Sequence, residues 1–195
     1  AVAGGALDGR ALFVFGLLAG VFGVDRTDVG VPKCALRVAA FEPGRPLSAR
    51  NGVQVMAPYG LAGLVGADLV AVPATRIRHD YPPEVLEALR QAAARGVTLL
   101  SVCSGAFVLG AAGLLNGRRC TTHWRYADEL AHLYPDAKLD PDVLFVADGE
   151  LLTSAGTAAG IDACLHLVRR ELGSAVATRL ARRMLVPPQR DGGQR

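Results

Sequence analysis

The chain has 195 residues, 51% hydrophobic and 20% charged, with a net charge of +3. That length suits one domain with a proper core, and the composition excludes a disordered or fibrous chain. No apolar run reaches the roughly 18 residues a membrane helix needs, and the body carries too little positive charge to draw nucleic acid. Residues 169–195 hold seven of the 21 basic and two of the 18 acidic residues, which leaves residues 1–168 at −2. Only the tail is basic.

In chain order, Ala1–Leu7 reads as a short strand and Asp8-Gly9-Arg10 as a turn. Ala11–Phe22 is apolar on all sides and predicts a buried helix; the apolar run Ala11–Val24 is too short, interrupted by glycines and without a basic leader, so it does not read as a signal peptide. Asp25–Pro32 is a polar loop. Cys34–Phe41 is a second strand and Glu42–Arg45 the loop that ends it, followed by a short strand at Val53–Met56 and a small, flexible stretch at Gly60–Gly66. Ala67–Val72 has the composition of a buried strand, closed by Pro73. Pro82-Pro83-Glu84 starts a helix and Gly96 stops it after Arg95.

Val97–Val102 is a β-branched, apolar run that ends at Cys103-Ser104-Gly105, where a helix continues to Leu115. Thr121 or Thr122 is expected to cap a helix over Trp124–Leu133, which Pro135 ends. Leu144–Val146 and Leu151–Thr153 flank Asp148-Gly149, a hairpin signal. Ser154-Ala155-Gly156 opens a long helix, Thr157–Leu172, with Ile161, Cys164, Leu165 and Val168 as its buried stripe. A last helix runs from Ser174 to about Leu185, and Pro187 to Gly193 reads as a linker, stiff and then flexible. Strands alternating with helices predict an α/β fold with a mostly parallel sheet covered on both faces.

Cys103 is the candidate chemical centre. A thiol at a strand-to-helix turn lies at the carboxyl edge of a parallel sheet, where helix N–H groups favour an anion, a thiolate included. A working nucleophile needs a base, and Ser104, not a histidine, follows it. His123 is the best alternative base; a helix-start histidine that satisfies a carbonyl is the plainer reading. His79 sits in a polar loop, and His132 and His166 fall within helices. Ser154-Ala155-Gly156 forms a second turn of small residues that admits a ligand or a close helix. The pocket is therefore expected to comprise Cys103, Ser104, Gly105, His123, Ser154 and Gly156. The four cysteines (34, 103, 120 and 164) share no close spacing, so no metal site or disulfide framework is expected and a reducing cytoplasm is the simpler location; the small-residue turn at Ser154–Gly160 matches no dinucleotide or P-loop fingerprint, so no cofactor is expected.

At VCSGAFVLGAAGLLNGRRCTTHW (102–124), LLTSAGTAAGIDACLHLVRRELG (151–173) and ARRMLVPPQRDGGQ (181–194), the chain resembles the ThiJ/PfpI superfamily, which is related to class I glutamine amidotransferases. Within it the chain is most similar to the N-terminal domain of AraC-type transcriptional regulators, with weaker likeness over FGLLAGVFGVDRTDVGVP (15–32). The resemblance implies a flavodoxin-like three-layer sandwich, a homodimer and a pocket at the Cys turn. It implies a regulatory domain over 1–186, with 187–195 beginning the linker to a helix-turn-helix domain that this chain stops short of. Catalytic members add a histidine and an acid from the first helix. That acid aligns with position 14, which is Val14 here, and a second acidic position falls on Gly20. The implied function is a small-molecule-sensing and dimerisation domain, itself non-catalytic, that meets DNA only through the missing domain. The alternative is a Cys-dependent hydrolase, amidase or isonitrile-hydratase-like enzyme using Cys103 and His123. A redox sensor at Cys103 ranks last, for want of a resolving cysteine nearby.

Overall fold

The computed structural model describes residues 2–6, 12–48 and 52–194. Six strands form the central sheet: β1 (Val2–Ala6), β2 (Leu36–Ala40), β5 (Leu69–Val72), β6 (Thr98–Val102), β9 (Phe145–Asp148) and β10 (Leu151–Ser154), in the order β2-β1-β5-β6-β10-β9. All neighbours are parallel except β9, which returns along β10 through Gly149 at φ +58, as the Asp148-Gly149 signal predicts. Every residue of β5, β6 and β10 is buried, because helices cover both faces.

Alternation along these strands divides the core in two. Leu69, Ala71, Leu100, Val102 and Leu152 face one cluster, which holds α1 (Leu12–Leu18), α5 (Ala158–Leu172) and α6 (Ser174–Arg183). Val70, Val72 and Leu99 face the other, with α2 (Pro83–Ala94), α3 (Gly105–Ala111) and α4 (Ala127–Leu133). This is the three-layer, flavodoxin-like sandwich expected.

The details depart from the sequence reading in places. The first helix is not buried all round: Val14, Leu17, Leu18, Val21 and Phe22 form its inner stripe, while Leu12 and Phe13 are exposed. A helix laid on a sheet buries only one face. It continues into a π-helical turn, Ala19–Gly23. Ile161 is half-buried, and Ala159, Gly160, Ala163 and Leu167 complete the stripe of α5 in its place. Two small features escape the periodicity: the parallel pair β7 (Arg119–Cys120) with β8 (Lys138–Leu139), and the strand β3 (Pro46–Ser48), which forms a hairpin with β4 (Gln54–Met56), itself within the strand expected at Val53–Met56. Segments of two or three residues are too short to show a period. The turn expected at Asp8-Gly9-Arg10 lies outside the described residues.

Candidate functional site

Three adjacent parallel strands end on one edge and supply the site. β5 runs into Pro73–Thr75, β6 into Cys103 and β10 into Ala155-Gly156. Cys103 has φ 57, in the left-handed region. For a non-glycine residue this costs on the order of 1–2 kcal/mol. Two hydrogen bonds hold it there: its N–H donates to the Ser154 carbonyl (3.0 Å) and its carbonyl accepts from Thr122 Oγ1 (2.9 Å). The half-buried side chain packs against the apolar cluster that contains Val14.

The small residues around the thiol are dictated by space. A Cβ at Gly105 would lie 2.2 Å from the Val72 carbonyl oxygen, so only glycine lets α3 start against the end of β5. Ser104 closes the same junction: its Oγ donates to the Thr75 carbonyl (2.7 Å) and accepts from the Thr75 N–H (3.1 Å). Ser154 Oγ donates to the Ser101 carbonyl (3.3 Å). Both serine hydroxyls are buried and engaged with backbone.

The electrostatics follow from burial. Desolvation raises the Cys103 pKa above the ordinary thiol value, and the Ser104 N–H offsets it only in part. The helix start thus does not make the thiol a thiolate near neutral pH. Among the described residues, no carboxylate or imidazole hydrogen-bonds to the sulfur. Val14, at the position the resemblance gives to an acid, is 1% exposed and sits within the apolar core.

His123 serves as a cap. Its Nδ1 accepts the Arg125 N–H (3.2 Å) at the start of the 3-10 turn Trp124–Tyr126, and its ring lies against Trp124 and Tyr126, with centroids 5.5 and 5.8 Å away. Burial and then Arg125 lower its pKa. The expected caps, Thr121 and Thr122, are fully buried instead. The Thr121 N–H donates to Thr153 Oγ1 (2.8 Å), and Thr122 braces Cys103. A one-residue shift of the cap turns two threonines inward. His79 and His132 are exposed, and His166 stacks on Phe145.

The structure therefore brings Cys103, Ser104, Gly105, Ser154 and Gly156 together and joins His123 to them through Thr122. Thr122 and Thr75 are site residues the sequence reading missed. The signal for Thr122 was two adjacent threonines before a histidine, which also fits a simple helix cap. Among the described residues, no group of three or more metal-ligating side chains occurs, and no helix is long and apolar enough to cross a membrane.

The stretch that carries this strand-to-helix turn is covered by the model of the family described as the DJ-1/PfpI family, which aligns with residues 33–170. The chain belongs to the DJ-1/PfpI family. Among curated proteins, it is 35% identical over 144 residues to the HTH-type transcriptional regulator CdhR of Pseudomonas aeruginosa, covering 73% of this chain and 43% of that protein. It is 36% identical over 132 residues to an isonitrile hydratase of Pseudomonas putida, covering 66% of this chain and 56% of that one. The chain spans about half the length of the curated relatives it matches. Two solved structures share the fold. An AraC family transcriptional regulator from Pseudomonas putida superposes with a TM-score of 0.82 at 23% identity, covering 94% of this chain and 98% of that one. Drosophila melanogaster DJ-1beta gives 0.80 at 20%, covering 95% and 97%.

Proposed function

We propose that this DJ-1/PfpI chain is the sensing and dimerisation domain of an AraC-type transcription regulator and is itself non-catalytic. The observation that carries the reading is the setting of Cys103: among the described residues neither a base nor a carboxylate is hydrogen-bonded to its sulfur, and burial raises the thiol pKa above its ordinary value. A thiol without a partner to take its proton is a poor nucleophile. The relatives named as HTH-type regulators support the same reading. Residues 1–186 form the regulatory unit in this proposal, and 187–195 begin the connection to a helix-turn-helix domain that contacts DNA. The pocket for a small effector is the cleft at Cys103, bordered by Ser104, Gly105, His123, Ser154 and Gly156. A homodimer working in the cytoplasm completes the proposal.

The deciding experiment uses the product of the whole gene. It is expected to bind a specific DNA site as a dimer, while the 195-residue chain alone shows no sequence-selective shift at physiological salt. Tight, selective binding by the 195-residue chain would refute the proposal. The enzyme reading draws support from the isonitrile hydratase relative and from the strained Cys103 turn, a geometry that presents nucleophiles. Turnover of isonitriles by the purified chain, abolished in Cys103→Ser, would establish it.

A further inference from the structure

The segment after α6 is built to be held against the domain. Arg169 Nη2 donates to the Pro188 carbonyl (2.6 Å), and Arg190 pairs with Asp162 at 2.6 Å, whose side chain is only 11% exposed. Gly192 has φ +115. Gly193 pairs with Val143 and passes so near Asp142 that a Cβ would lie 2.2 Å from its carbonyl oxygen. Only glycine fits either position.

Gln194 is the anchor. Its N–H donates to the Asp142 carbonyl (2.7 Å). Its Nε2 faces the carbonyls of Pro141 (2.9 Å), Thr122 (3.0 Å) and Val143 (3.0 Å), with Thr121 Oγ1 at 3.3 Å, and its Oε1 accepts the Trp124 N–H (2.7 Å). A primary amide presents two donors and an acceptor, which this cage requires; a carboxylate would set an oxygen against three carbonyls.

The cage is the outer wall of the thiol site. Thr122 gives its carbonyl to Gln194 and its hydroxyl to the Cys103 carbonyl. Trp124 follows His123. Between the segment and α5 lies a cavity of about 420 Å³ bordered by Phe145, His166 and Arg169.

We propose that residues 187–194 form a latch, in which the Gln194 carboxamide locks into the 121–124 loop and Thr122 couples it to the Cys103 turn. A change at the thiol turn, by ligand or modification, shifts Thr122 and frees the segment; freeing the segment loosens the turn by the same factor. This goes beyond the regulatory reading, since it needs neither a DNA-binding domain nor a known effector.

Limited trypsin digestion of the 195-residue chain tests it, because Arg190 places a cleavage site inside the latched segment. Gln194→Ala and Gln194→Glu are each expected to speed cleavage after Arg190 at least tenfold and to shift the emission of Trp124, the single tryptophan. Cleavage within α6 should not change. Thr122→Val, which removes the hydroxyl and keeps the shape, is expected to speed the same cleavage severalfold. Its effect should largely vanish in the Gln194→Ala background, the mark of coupled residues. Unchanged cleavage in both Gln194 variants would overturn the latch. Fully multiplicative effects of Thr122→Val and Gln194→Ala would overturn its coupling to Cys103.

Discussion

Gly156 and Cys103 are fitted to each other: a Cβ at position 156 would stand 2.3 Å from the Cβ of Cys103. The turn after β10 and the turn after β6 touch backbone to side chain, and the contact exists because Gly156 has no side chain and adopts φ +92. Gly156→Ala therefore meets two penalties, an overlap with backbone-anchored atoms and an unfavourable φ. The expected loss is about 2–4 kcal/mol in urea unfolding. A variant as stable as the wild type would show that the two turns are not packed this way.

Ser104→Ala removes both hydrogen bonds between Ser104 Oγ and the Thr75 backbone. Buried backbone groups that lose a partner cost about 1–3 kcal/mol. We expect a loss in that range by chemical denaturation, together with faster amide exchange at Thr75. Because the junction braces α3 against β5, the Cys103 alkylation rate should rise as well.

Burial of the Cys103 thiol sets its reactivity. Its pKa lies above the ordinary thiol value, so its thiolate fraction at pH 7 is below that of free cysteine. Iodoacetamide should modify Cys103 more slowly than it modifies a cysteine peptide, and the rate should reach half-maximum at a higher pH. Faster-than-peptide modification at neutral pH would point to an activating base.

Alkaline stability follows from the fully buried thiols. Burial pushes Cys120 up to about 11 and Cys164 up to about 12. Both remain protonated in the folded chain after they have ionised in the unfolded one. The stabilisation is whole below pH 8.5 and is lost as pH rises, at about 1.4 kcal/mol per pH unit for each thiol, until the folded pKa is reached. Urea unfolding at pH 8 and pH 10 should show a fall of roughly 2–4 kcal/mol, and Cys164→Val should flatten the slope. Equal stability at the two pH values would contradict the burial of these thiols.

His123 has the opposite sign. Its pKa is lowered in the folded chain by burial and by Arg125, so the unfolded chain takes up the proton first. The cap at Arg125 is whole above pH 6.5 and weakens as pH falls, because protonated Nδ1 cannot accept the Arg125 N–H. His123→Asn should preserve the turn at pH 5, whereas His123→Ala should cost about 1 kcal/mol at pH 7. NMR titration of the His123 ring is expected to give a midpoint below 6.5.

The sequence alone determined the layered fold, the parallel core strands and the position of the thiol. Val97–Val102 followed by Cys103-Ser104-Gly105 shows its strand, turn and helix through local period and small residues, and the Asp148-Gly149 hairpin is equally local. Tertiary structure alone decided how those residues are used. Whether Val14 faces core or cleft, whether Thr122 caps a helix or braces Cys103, and where the carboxamide of Gln194 is received depend on contacts between residues distant in sequence. Gln194 and Thr122 stand 72 positions apart. Periodicity reports which face of an element is buried; the partner across that face is set by packing, and hydrogen bonds across such distances leave no local signal.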